Sequence, residues 1–283
     1  MDIKSTIHAI PDIQRFQPAT WDECLGNYRI KKFFMQGVRL FKQDSKSKGK
    51  IPKRILPSFL LHGESRSGKT AMVKHFVRSI TCKEINEKTL DPCNGSCDAC
   101  CQKIYRDGLE GLYSVIVYEN HGVPIEFYNI DCTKLVSPVE LKEKLAEFQY
   151  DTHVLKIIYF DEVHRLVPKK MDEMLLKDIE EKDFIWAFST AMPQDLEEMF
   201  LNRLVKFKTE LPKADELANW LVDRCQRWGI NWEPEAIQSL VGKCNRIPGT
   251  ALQCLALAAY NPEQGITVDL VENGWDVKIG TVG

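Results

Sequence analysis

Short continuous apolar runs, separated by stretches whose apolar positions recur every three to four residues, organise the first two thirds of the chain. Ile55-Leu56-Pro57-Ser58-Phe59-Leu60-Leu61-His62 is such a run; it ends in a glycine-containing turn, and 69–80 then reads as a helix. Residues 113–116 and 125–131 read as strands and 139–148 as an amphipathic helix. Val154-Leu155-Lys156-Ile157-Ile158-Tyr159-Phe160 has the near-continuous, β-branched pattern of a central parallel strand buried on both faces. A helix over 171–181 and a buried strand over 184–188 follow. Strands alternating with helices predict an α/β domain with a mainly parallel sheet over 1–211. From Leu211-Pro212 onwards only helical patterns remain, at 214–228, 233–243 and 249–259, which predicts a small helical domain over 212–283.

Composition narrows the class. With 44% hydrophobic and 28% charged residues among 283, collagen-like, disordered and fibrous readings drop out. No run approaches the ~18 apolar residues of a membrane span, and the opening MDIKSTIHAIPDIQ lacks a signal-peptide core, so no membrane association and a cytoplasmic location are expected. The net charge of -2 gives no global attraction to nucleic acid, so DNA contact must come from local patches. Lys42, Lys46, Lys48, Lys50, Lys53 and Arg54, interrupted by Asp44, form one such patch, readable as a phosphate contact or as a solvated loop. Ten cysteines in a chain of this length without an export signal point to metal binding rather than disulfides. Five of them cluster at Cys82, Cys93, Cys97, Cys100 and Cys101, whereas Cys24, Cys132, Cys225, Cys244 and Cys254 are scattered and read as core residues, as do Trp220, Trp228 and Trp232.

Gly63-Glu64-Ser65-Arg66-Ser67-Gly68-Lys69-Thr70 fits GxxxxGK[ST] between a predicted strand and a predicted helix. The glycines let backbone N–H groups face a polyphosphate at a helix N-terminus, where the dipole favours negative charge. Lys69 is then the residue that reaches the β- and γ-phosphates, and the Thr70 hydroxyl a ligand of Mg²⁺. Ninety-odd residues later, Ile157-Ile158-Tyr159-Phe160 leads into Asp161-Glu162 at the carboxyl end of a strand, where ligands bind in open α/β sheets. Asp161 is the candidate for holding Mg²⁺ and Glu162 for polarising the attacking water.

These motifs resemble the AAA+ ATPases, and within them the clamp-loader group with its bacterial gamma/tau-type subunits. Arg15-Phe16-Gln17-Pro18 and the segment 21–27 resemble the family's N-terminal segment, which places Pro18 beside the adenine. Asp161-Glu162-Val163-His164-Arg165-Leu166 resembles its Walker B block, with no catalytic role assigned to His164, and 175–181 resembles its next helix. Residues 184–190 resemble the sensor-1 strand, which implies that Ser189 or Thr190 touches the γ-phosphate or the attacking water. Asn202-Arg203-Leu204 falls where clamp loaders have Ser-Arg-Cys, making Arg203 the candidate arginine finger for a neighbouring subunit's site. The resemblance also implies that Cys82, Cys93, Cys97 and Cys100 form a structural Zn²⁺ module, with Cys101 as an alternative to Cys100.

The chain departs from that pattern at four places. Glu64 and Arg66 stand where Pro and Gly are usual, a form also seen in regulators of DNA transposition, and 108–130 is longer than the pattern. Gly249, in Arg246-Ile247-Pro248-Gly249-Thr250-Ala251-Leu252, stands where the resemblance implies the sensor-2 arginine, so either Arg246 substitutes from a different angle or nucleotide-driven closure of the lid is weak. No collar follows the helical lid, so assembly through the ATPase faces alone is expected. The resemblance implies ATP, Mg²⁺ and Zn²⁺ as cofactors, and a homo- or hetero-oligomeric ATPase that switches an assembly on DNA with a sliding clamp or polymerase. The alternative is a regulator of a transposon or antiviral defence system that assembles on DNA and recruits a transposase or other effector. A non-hydrolysing nucleotide-gated scaffold is disfavoured by the intact Lys69, Asp161 and Glu162.

Overall fold

The computed structural model describes residues 18–46, 55–93, 95–101, 104–107, 113–120, 123–135, 137–148, 154–181 and 184–273. Seven strands form one sheet: β1 (Phe59–His62), β2 (Ile104–Asp107), β3 (Tyr113–Asn120), β4 (Val123–Asp131), β5 (Leu155–Asp161), β6 (Ile185–Thr190) and β7 (Val205–Lys208). They lie in the order β2-β3-β4-β5-β6-β1-β7. The five from β4 to β7 are mutually parallel, and β2 and β3 add an antiparallel edge. The predicted strand at 55–62 is paired only over Phe59–His62, because Pro57 has no N–H to give to a ladder. The long segment 108–130 contributes β3 and most of β4.

Alternate residues of a strand point to opposite faces, and the buried strands divide accordingly. Phe59, Leu61, Ile157, Tyr159, Ile185 and Ala187 enter one core cluster. Leu60, Ile158, Phe160, Trp186 and Phe188 enter the other. The first cluster is covered by α1 (Tyr28–Lys46), which buries Ile30, Phe34, Val38 and Phe41 at helical spacing, and by α2 (Lys69–Thr81). Across the sheet, Leu141 and Leu145 of α4 (Pro138–Glu147), Leu175 and Ile179 of α5 (Leu175–Glu181) and Phe200 of α6 (Glu198–Leu201) pack into the second. The short helix α3 (Asp98–Cys101) ends the cysteine-rich segment.

After β7 the described chain is helical apart from a single bridge between Trp232 and Ile266: α7 (Ala214–Trp228), α8 (Pro234–Lys243), α9 (Pro248–Ala258) and α10 (Val268–Glu272). Their apolar sides close a third cluster, which Leu25 joins from the N-terminal segment. Lys42 and Lys46 of the basic patch lie in α1; its other four cations, and Arg15, Phe16 and Gln17, lie outside the described residues.

Candidate functional site

The loop from β1 to α2 is anchored by its neighbours. Gly63 donates its N–H to the Thr190 carbonyl at 3.2 Å and adopts φ of +138°; a Cβ there would lie 2.3 Å from Thr209 Oγ1, so only glycine fits. Ser67 Oγ bonds Thr209 Oγ1 at 2.9 Å. The loop is thereby tied to the carboxyl ends of β6 and β7. Lys69, almost fully buried, donates from Nζ to the carbonyls of Gly63 and Glu64 at 2.9 and 2.8 Å. Burial pushes its pKa down, opposed by the nearby Glu162, Asp161 and Glu64.

Asp161 ends β5 facing that loop. Its Oδ2 accepts from the Thr70 hydroxyl at 3.0 Å, and its Oδ1 accepts from Tyr159 at 3.0 Å and from Ser189 in a short bond. The Tyr159 hydroxyl, fully buried, also lies 2.9 Å from Ser189 Oγ and 3.0 Å from Thr70 Oγ1. Burial and the Asp161 charge push its phenol well above the ordinary value, so it stays protonated. Glu162 follows in the left-handed region at φ 55°, its Oε2 accepting from the Ala191 N–H at 3.4 Å and lying 3.3 Å from His164 Nδ1. His164 Nδ1 also lies 2.9 Å from Thr190 Oγ1, and burial pushes the imidazole down, so it is neutral at pH 7.

A cavity of about 390 Å³ opens beside these groups, lined by the loop from Ser65 to Thr70, by Asp161 and Glu162, by Pro18, Glu23, Leu25 and Asn27, and by Trp220, Pro248, Gly249 and Leu252 of the helical segment. That volume suits a small-molecule ligand. Gly249 donates its N–H to the Arg66 carbonyl at 3.1 Å, and a Cβ on it would meet that oxygen and Arg66 Cβ at 2.8 Å. The start of α9 therefore touches the phosphate loop backbone to backbone, at the position where the resemblance implies an arginine. A second tie is ionic: Glu23 bonds Arg224 at 2.5 Å and Arg227 at 2.9 Å on α7 and accepts the Ala19 N–H at 2.7 Å. Gly26 N–H donates to Glu216 Oε1 at 2.7 Å.

Not every residue singled out from the sequence reaches the cavity. Gly63 and Glu64 offer their carbonyls to Lys69 and do not line it. Ser189 and Thr190 are fully buried, their hydroxyls engaged with Asp161 and His164. Arg246 is exposed on the turn before α9, away from the lining, and Arg203 donates to Glu180 Oε1 and to the Met199 carbonyl, each at 2.6 Å. Conversely, sequence reasoning missed Tyr159, Glu23 and Trp220. Only Tyr159 carried a local signal: a polar-tipped residue two places before the acidic pair in an otherwise apolar strand.

The sulfurs of Cys82, Cys93, Cys97 and Cys100 all lie within 4.8 Å of one another, with Cys82 and Cys97 at 3.9 Å. Four thiolates ~2.3 Å from one tetrahedral ion lie about 3.8 Å apart, so this donor set fits Zn²⁺. Backbone N–H groups of Cys93 and Cys97 point at the sulfurs of Cys82 and Cys93, at 3.1 and 3.3 Å. Hydrogen bonding from the Cys100 thiol lowers Cys82 to about 5 and, reciprocally, pushes Cys100 up. The Cys101 side chain lies outside the described residues. Between Cys82 and Cys93, the Leu90 carbonyl and Asp91 accept from Trp21 Nε1 and N at 3.0 and 2.6 Å, joining the cluster to the N-terminal segment.

No family model matches the chain. It is 24% identical over 259 residues to DNA polymerase III subunit gamma of Buchnera aphidicola subsp. Schizaphis graminum, a match covering 90% of this chain and 62% of that protein. Among solved structures it is similar to the Thermotoga maritima RuvB Holliday junction branch migration motor, with a TM-score of 0.58 at 16% identity over 90% of this chain and 70% of that one. A point mutant of the same RuvB gives a TM-score of 0.58 at 15% identity, covering 90% and 71%. In sequence the chain resembles a clamp-loader-type AAA+ subunit, and in fold it resembles the RuvB motor.

Proposed function

We propose that the chain binds and hydrolyses Mg·ATP as an oligomeric ATPase of clamp-loader type and uses the cycle to switch a protein assembly on DNA. The observation that carries this reading is the convergence of the phosphate loop, Thr70, Asp161 and Glu162 on one cavity that α7 and α9 close from above. In this reading 1–211 is the nucleotide-binding domain and 212–283 a lid. Lys69 leaves the two loop carbonyls to bind the phosphates, the loop N–H groups cradle them, and Pro18, Leu25 and Trp220 hold the base. Thr70 and Asp161 hold the cation, which when bound neutralises charge on the β- and γ-oxygens. Glu162 turns from Ala191 and His164 to orient and deprotonate the attacking water, with Ser189 or Thr190 as sensor, and Arg203 completes a neighbour's site. Cys82, Cys93, Cys97 and Cys100 hold a structural Zn²⁺ that takes no part in the chemistry.

A DNA partner, and a sliding clamp or polymerase as the assembly acted upon, come with the likeness to a DNA polymerase III subunit, as does a cytoplasmic location. Among the described residues no helix is long and apolar enough to cross a membrane. The testing experiment compares wild type with Glu162→Gln for nucleotide binding and phosphate release, with and without duplex DNA. Glu162→Gln is expected to keep nucleotide affinity while lowering turnover on the order of 10²–10⁴-fold. A wild type that binds no ATP, or a variant that turns over normally, rejects the reading.

A further inference from the structure

We infer that Tyr159 is a positioning residue of the nucleotide site: its hydroxyl accepts the Thr70 hydrogen bond and so fixes Thr70 and Asp161 as a pair of oxygen ligands for the divalent cation that accompanies a triphosphate. The inference rests on the reading of the cavity as an Mg·ATP site.

Packing does not account for the hydroxyl. Tyr159 enters the sheet face it shares with Leu155 and Ile157, both apolar, where phenylalanine would fill the same space. Its hydroxyl instead stands fully buried among Thr70, Asp161 and Ser189, at 2.9 to 3.0 Å from each. A buried hydroxyl is kept at no penalty only where partners satisfy it, and here the partners are the three polar groups behind the cavity.

Proton counting assigns the task. The Thr70 hydroxyl has one proton and two acceptors at the same 3.0 Å, Asp161 Oδ2 and Tyr159 Oη. Once Oδ2 is committed to a cation, Tyr159 Oη is the acceptor that remains, and the Thr70 lone pairs are left to face the cation. Tyr159 sends its own proton to Ser189 Oγ or Asp161 Oδ1, and Ser189 donates to Oδ1. Each donor then has an acceptor, and the carboxylate keeps one oxygen for the metal.

The test uses the full chain with Tyr159→Phe and a fluorescent ATP analogue titrated in EDTA and at increasing Mg²⁺. Affinity in EDTA and the melting temperature of the nucleotide-free protein are expected to match wild type. The Mg²⁺ concentration giving half of the full gain in affinity is expected to rise roughly 3- to 10-fold, the equivalent of one hydrogen bond. An unchanged Mg²⁺ dependence, or an affinity loss equal with and without Mg²⁺, overturns the role of Tyr159 alone. Wild-type binding indifferent to Mg²⁺ overturns the Mg·ATP reading and Tyr159 with it. If Tyr159→Phe melts early, a cycle of Thr70→Ala with and without Tyr159→Phe, titrated below both melting transitions, decides: once the Thr70 hydroxyl is gone, Tyr159→Phe should move the Mg²⁺ midpoint no further, and an additive shift would refute the proton assignment.

Discussion

Glu23 gathers two arginines and a backbone N–H around one carboxylate that is only 10% exposed. Burial alone raises its pKa, but the Ala19 N–H, Arg224 and Arg227 outweigh it and hold the carboxyl below its ordinary range. A depressed native value means stability that is present above the ordinary glutamate value of about 4.3 and is lost as pH falls through the native one. Glu23→Gln is therefore expected to lower the melting temperature at pH 7 and to converge on wild type as pH falls through the depressed native value, as scanning calorimetry across an acid pH series would show. A constant difference would mean that the amide disturbs packing instead. At this scale the sequence was legible wherever a residue acts with its chain neighbours, as Lys69 and Thr70 do. Glu23 meets α7 about two hundred positions away, and no local pattern announces that meeting.

Helix α9 makes its contact with the phosphate loop through main chain rather than through a side chain. Because a Cβ at 249 would lie 2.8 Å from the Arg66 carbonyl, Gly249→Ala must move either the helix start or the loop. ATP-analogue affinity is expected to fall roughly 10-fold, within the range for crowding a packed contact. Gly242→Ala on α8, where a Cβ meets nothing within 4 Å, serves as the matched control and should bind normally. Equal affinities for the two variants would show that the contact does not matter to the ligand. The elements themselves were readable where period and turn residues agreed, as in α2, β5 and the helices after β7. Strand β7 was not, since its four residues pair on one side only and are largely exposed. Helix α1 did carry a signal, since Ile30, Phe34, Val38 and Phe41 recur at helical spacing, yet it was not predicted.

For the whole molecule, the role proposed for Arg203 is to serve a neighbouring copy. Its guanidinium is held by Glu180 and the Met199 carbonyl, so it has to release both to reach a neighbour's phosphates. Arg203→Ala is expected to bind ATP normally and to lose turnover on the order of 10³-fold, whereas Glu180→Gln should lower the protein concentration at half-maximal turnover by up to about fivefold, the size of an exposed ion pair. Phosphate release followed across a protein dilution series measures both, and wild-type turnover per chain that does not change on dilution would place all the catalytic groups in one copy. That strands give way to helices after β7 was readable from the pattern, and so was Arg203 as a candidate, but its pairing with Glu180 some twenty positions away was not. An arginine already satisfied at home makes assembly a competition between a private contact and a shared one. Under the proposed function a lone copy would be quiet by default, and crowding on a common template would be the signal that turns it on.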